Sequence, residues 1–92
     1  MREQVENFAA EMERRLQAND HKGGWSGYGS EYLSRRLLEE VGELIEALFR
    51  GDSAKTISKE AADIANFAMM ISDNAESQDP RTNGLVDDKG RP

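Results

Sequence analysis

At 92 residues the chain makes one small domain whose core is marginal by itself, so self-association is expected. Its 12 basic and 18 acidic residues give a formal charge of -6, which argues against nucleic acid as a partner but not against a nucleotide, because bound metal ions invert a local field. With no cysteine and one histidine, disulfides, thiolate sites and a structural zinc centre are excluded.

The first helix is predicted from about Glu3 to Ala18, where Val5, Phe8, Met12 and Leu16 recur at steps of three and four. The stretch from Asn19 to Gly29 (NDHKGGWSGYG) breaks it, because four glycines in eleven residues do not sustain a helix. Ser30 is the expected N-cap of a second helix running to Phe49 or Arg50, with Leu33, Leu37, Val41, Leu44 and Leu48 on one face. Gly51 is the expected stop, and Asp52 or Ser53 starts a third helix ending near Glu76. No stretch alternates like a strand. The predicted class is all-α: an antiparallel helical hairpin plus an N-terminal helix, completed as a multi-helix bundle by oligomerisation. Residues 1–76 form the domain, and 77–92 (SQDPRTNGLVDDKGRP) read as a flexible polar tail. The start of the chain has no apolar signal segment, and no run approaches the roughly 18 apolar residues that span a membrane, so a cytoplasmic protein without a membrane partner is expected.

Two carboxylate pairs carry the chemistry: Glu40 with Glu43, and Glu60 with Asp63. The i, i+3 spacing puts each pair on one helical face, and the hairpin brings the pairs towards each other. Glu40 lies at the edge of the leucine stripe and Glu43 roughly 60° beyond it, at about 100° per residue. Glu60 falls within the stripe of Ile57, Ile64, Phe67, Ala68 and Ile71, and Asp63 between Phe67 and Met70. An acid facing a core costs several kcal/mol (roughly) unless neutralised. Singly, each glutamate reads as part of a solvated face, and Glu60 has a second explanation as a salt bridge to Arg35 or Arg36. All four together are better explained by Mg²⁺, a hard ion that takes oxygen ligands.

Asn66 extends the line of Glu60 and Asp63 by a turn and is a candidate for the ion, a phosphate oxygen or a sugar hydroxyl, or simply a polar helix flank. Lys59 and Lys55 could reach phosphates or just solvate. In the loop, glycines let backbone approach a ligand, Trp25 and Tyr28 offer flat faces for a base, and His21 and Lys22 add donors. The plain alternative is that Trp25 plugs the end of the core. There is neither a glycine-rich nucleotide fingerprint nor a triad for covalent catalysis.

Glu39-Glu40-Val41-Gly42-Glu43, then Glu60-Ala61-Ala62-Asp63 after sixteen residues, with KGGW before and DIANFAMMI after, resembles the MazG-like nucleoside triphosphate pyrophosphohydrolases in their short, single-domain form. The resemblance covers about His21 to Asn74. It implies Glu40, Glu43, Glu60 and Asp63 as Mg²⁺ ligands, with Mn²⁺ as a substitute, and Glu39 in the outer shell or positioning water. It implies cleavage of a nucleoside triphosphate between the α and β phosphates, a house-cleaning role, and assembly as a homodimer or a tetramer of two dimers. Glu39 and Glu43 are the candidate proton acceptors, and Trp25, Lys59, Asn66 and His21 the candidate substrate contacts. Two other readings stay open: a phosphoribosyl-ATP pyrophosphohydrolase-like enzyme, and a non-catalytic helical partner protein.

Overall fold

The structure, a computed structural model, describes residues 1–20 and 23–83. Helices α1 (Glu3–Ala18), α2 (Ser30–Arg50), α3 (Ala54–Gln78) and the short α4 (Pro80–Asn83) follow in order, with no strand among the described residues. The all-α expectation holds, and α1 has its expected bounds. No helix among the described residues is long and apolar enough to cross a membrane.

The start of α2 differs from expectation by one residue. Gly29 is the extended N-cap and its carbonyl accepts the first helical bond, from Leu33 N–H at 3.1 Å, so Ser30 is already inside the helix. At the other end Gly51 adopts φ 71°, the left-handed conformation glycine takes cheaply. Its N–H bonds the Leu48 carbonyl at 3.1 Å, and the next N–H, of Asp52, bonds the Ala47 carbonyl at 3.0 Å. Ser53 then caps α3, its hydroxyl accepting from Thr56 N–H at 3.2 Å. A connection this short makes α2 and α3 an antiparallel hairpin.

Residues 77–83, within the stretch expected as a polar tail, are largely helical. Ser77 stays helical, donating its hydroxyl to the Asp73 carbonyl at 2.8 Å, and α3 continues to Gln78. Asp79 then accepts from Arg81 N–H at 2.9 Å at the start of α4. Residues 84–92 lie outside the described residues.

Helix α3 is the spine, packed against α2 on one side and α1 on the other. The register is antiparallel in both cases: Asp63 faces Arg15 of α1, and Asn66 faces Met12. Leu33, Ala47 and Ala62 are fully buried, and the two alanines let α2 and α3 approach closely. The other buried side chains are polar: Glu40, Asn66 and Asn74.

This corrects the expected stripes. On α2 the inward line is Leu33, Glu40 and Ala47, spaced i, i+7, i+14, so Glu40 lies mid-face rather than at an edge, and Leu48 is exposed. On α3 the most buried positions are Ala62, Asn66 and Asn74, Ala68 is exposed, and Ile57, Ile64, Phe67 and Ile71 are half-buried. The cause is that α3 is clasped by two helices: the small and polar side goes inward, where the amide nitrogens of Asn66 and Asn74 find carbonyls, and the isoleucine side is left half covered.

Candidate functional site

Since α1 and α2 both rest on α3, a cleft of about 420 Å³ opens between them, floored by α3 and closed at one end by the glycine loop. Glu40 and Glu43 enter it from α2, Glu60 and Asp63 from α3, and Arg15 from α1. One carboxylate oxygen from each of Glu40, Glu60 and Asp63 lies within 4.8 Å of the other two. Glu43 lines the same cleft beside this trio. All four expected acids therefore converge.

Their electrostatics record the crowding. Glu60 is held above the ordinary glutamate range by burial, then by the charges of Glu43 and Asp63, against which Arg15 acts. Glu40, only 6 % exposed, is also raised by burial first and by Glu43 and Asp63, with Arg36 opposing. Carboxylates forced together and short of positive charge, all with hard oxygen donors, are a donor set suited to Mg²⁺ or Mn²⁺.

Arginines compensate part of the charge. Arg15 grips Asp63 in a two-point fork, Nε to Oδ1 at 3.0 Å and the terminal nitrogen to Oδ2 at 3.1 Å. Arg36 bonds Glu40 at 3.1 Å, pairs with Glu39, and lies 5.1 Å above the centroid of the Phe67 ring. The expected alternative, Glu60 bridged to Arg35 or Arg36, is not what forms: Arg36 serves the α2 acids and Arg35 is exposed. Glu39 is exposed and absent from the cleft lining, touching the site through Arg36, an outer-shell position.

Asn66 lines the cleft and is 4 % exposed; its Nδ2 donates to the Met12 carbonyl at 3.0 Å. Since a carbonyl only accepts, the other end of the amide must be Oδ1, and Oδ1 has no hydrogen-bond partner. Oδ1 can only accept, so a contact to a phosphate oxygen falls to the second N–H of Nδ2. Trp25 and Tyr28 also line the cleft, and Trp25 does not plug the core: its ring N–H donates to Asp73 at 3.0 Å. Asn74 donates to the carbonyls of Trp25 (3.0 Å) and Tyr28 (3.3 Å), fastening the loop to α3. Tyr28 in turn packs on Tyr32, ring centroids 4.8 Å apart. Lys59 and Lys55 are exposed and outside the cleft lining, and His21 lies outside the described residues.

Sequence reasoning missed Arg15, Asp73 and Asn74, and set Arg36 against Glu60 rather than against Glu39 and Glu40, its i, i+3 and i, i+4 neighbours on α2. A signal existed for Arg15, which follows Phe8 by seven residues and Met12 by three, on the inward side of α1. Asp73 and Asn74 depend on the loop that lies opposite them.

The protein is thus an all-α domain with clustered acids in an aromatic-walled cleft. The chain belongs to the MazG nucleotide pyrophosphohydrolase domain family, whose model matches residues 29–82. That span holds all four acids, the hairpin and part of the loop. Neither a curated protein nor a solved structure matches the chain.

Proposed function

We propose that this cleft hydrolyses a nucleoside triphosphate between its α and β phosphates, giving the monophosphate and pyrophosphate. The observation that carries the reading is the convergence of Glu40, Glu60 and Asp63 within 4.8 Å inside a cleft large enough for a nucleotide. These three, with Glu43 beside them, would hold Mg²⁺, which when bound neutralises phosphate charge and lowers the pKa of water.

Glu43 is exposed at the cleft and carries no arginine, so it is the acid free to take the proton of the attacking water. The water oxygen forms the new bond to phosphorus, the α–β anhydride breaks, and pyrophosphate leaves. Glu39 acts one step removed, orienting Arg36 and through it Glu40. At the other end, Trp25, Tyr28, Tyr32 and Phe67 offer faces for a base, and Asn66 Oδ1 accepts from a sugar hydroxyl or a base N–H. This aromatic wall favours free nucleotides over phosphoribosyl-ATP.

The active unit is a self-assembled one. Leu38 is 71 % exposed and Phe49 89 %, Ile45 and Leu48 lie on the same helix, and the isoleucine side of α3 is half covered. A second copy would cover this apolar surface.

One observation favours a second reading. The forks Arg15–Asp63 and Arg36–Glu40 balance two acids without any ion, as a non-catalytic polar core would. Incubating purified protein with common and modified NTPs and dNTPs plus Mg²⁺, scoring pyrophosphate, separates the two. Turnover abolished by Asp63→Asn supports the hydrolase. No pyrophosphate from any nucleotide, with no Mg²⁺-dependent stabilisation, leaves the non-catalytic protein.

A further inference from the structure

Two cations from the described residues line the cleft, Arg15 and Arg36, and they are anchored very differently. Arg36 is held three ways, by Glu39, by Glu40 and by the face of Phe67. Arg15 is hydrogen-bonded to one acid, Asp63, while the two arginine side chains are about equally exposed, at 30 % and 32 %. That fork uses both Asp63 oxygens, one of the oxygens a metal would need. A cation bound by Asp63 and the present fork therefore compete for the same atoms.

One carboxylate oxygen from each of Glu40, Glu60 and Asp63 lies within 4.8 Å of the other two, so an ion held by these three would draw on the Asp63 atoms that Arg15 now occupies.

We propose that Arg15 is a displaceable counter-ion: it holds Asp63 while the cleft is empty, yields Asp63 to the divalent ion, and then grips the triphosphate. The inference rests on the proposed metal-dependent reading of this cleft. A freed guanidinium keeps five N–H donors in a planar fork, the shape that matches phosphate oxygens. Its helix holds it at the cleft wall, and Arg36 is too tightly engaged to serve instead. The exchange would couple the two ligands, since metal frees the group that binds phosphate.

The signature is a pair of effects of opposite sign. In Arg15→Gln, Mn²⁺ alone should bind about fivefold tighter, because an ion-pair competitor and a nearby positive charge are both gone. Tripolyphosphate added with saturating Mn²⁺ should bind about tenfold more weakly, for want of a charged fork. Arg15→Lys, which keeps the charge but not the fork, should fall between in both titrations and carries the test if the glutamine variant does not fold. Mn²⁺ binding is read by electron paramagnetic resonance, and tripolyphosphate by quenching of Trp25, the chain's single tryptophan. If Arg15→Gln leaves Mn²⁺ affinity unchanged or weakens it, or if wild type ignores tripolyphosphate, Arg15 is a structural tie between α1 and α3 and the proposal falls. Wild-type Mn²⁺ binding that is lost in Asp63→Asn keeps the metal reading intact in that case. No saturable Mn²⁺ binding in wild type or variants overturns both.

Discussion

Glu40, Glu43, Glu60 and Asp63 share one cleft with Arg15 and Arg36, and the balance between them sets what each residue should do when changed. Asp63→Asn keeps the side chain's size but removes the charge that would face the ion, and Glu40→Gln does the same on α2. Each should cut pyrophosphate release about a hundredfold or more, with far-ultraviolet circular dichroism unchanged, since loss of even the groups behind metal ligands costs 10- to 100-fold (roughly). The raised carboxyls give a pH signature whose sign is fixed. A folded state that holds Glu40 and Glu60 above their ordinary value of 4.5 binds more protons than the unfolded chain between that value and the raised one. Their contribution to stability is therefore full below the ordinary glutamate range and is lost as pH rises through the raised values. Urea denaturation in a chelator should show stability falling across that window, and Glu60→Gln should flatten the slope. Saturating Mg²⁺ should reverse it, because the ion competes with the protons.

At the scale of elements, α3 reads both neighbours through side-chain amides. Asn66 ties it to α1, and Asn74 ties it to the loop before α2. The loop itself is short of hydrophobic anchors, so its position rests on Asn74 and on the bond from Trp25 to Asp73. Removing a buried donor that serves two carbonyls costs about 1–3 kcal/mol, so Asn74→Ala should lower the denaturation midpoint accordingly and shift Trp25 emission to the red. Asp73→Ala breaks an exposed bond and should move the emission while changing stability by less than about 1 kcal/mol. An unchanged spectrum in both variants would mean the loop is held by other contacts.

At the scale of the molecule, three apolar side chains buried outright among the described residues make a thin core. The apolar surface left on α2 and α3 accounts for the proposed second copy, and it gives a direct expectation. Sedimentation or light scattering should report at least twice the 10.3 kDa of one chain. Phe49→Glu together with Leu38→Glu should shift the mass to that of a monomer and lower the melting temperature. A wild-type mass of 10.3 kDa would refute the assembly.

Local rules settled the helices before any packing was known. The three-and-four spacing of apolar residues, Gly51 as a left-handed stop and Ser53 as a cap act within a few residues of chain, so their outcome is written in order along it. The acids at 40, 43, 60 and 63 were legible for the same reason, since fixed spacing on two helices joined by a tight turn leaves few ways for them to miss each other. The rotation of each helix about its own axis was not legible. Leucine and isoleucine stripes point inward only when the partner helix wants them, and here α1 and α2 clasp α3 so that Ala62, Asn66 and Asn74 are its most buried positions. That side could be buried because its amides found carbonyls 46 to 54 residues away in sequence. That Arg15 meets Asp63 was decided the same way, by helices that come together only in three dimensions, whereas Arg36 meets Glu39 and Glu40 within a single helix.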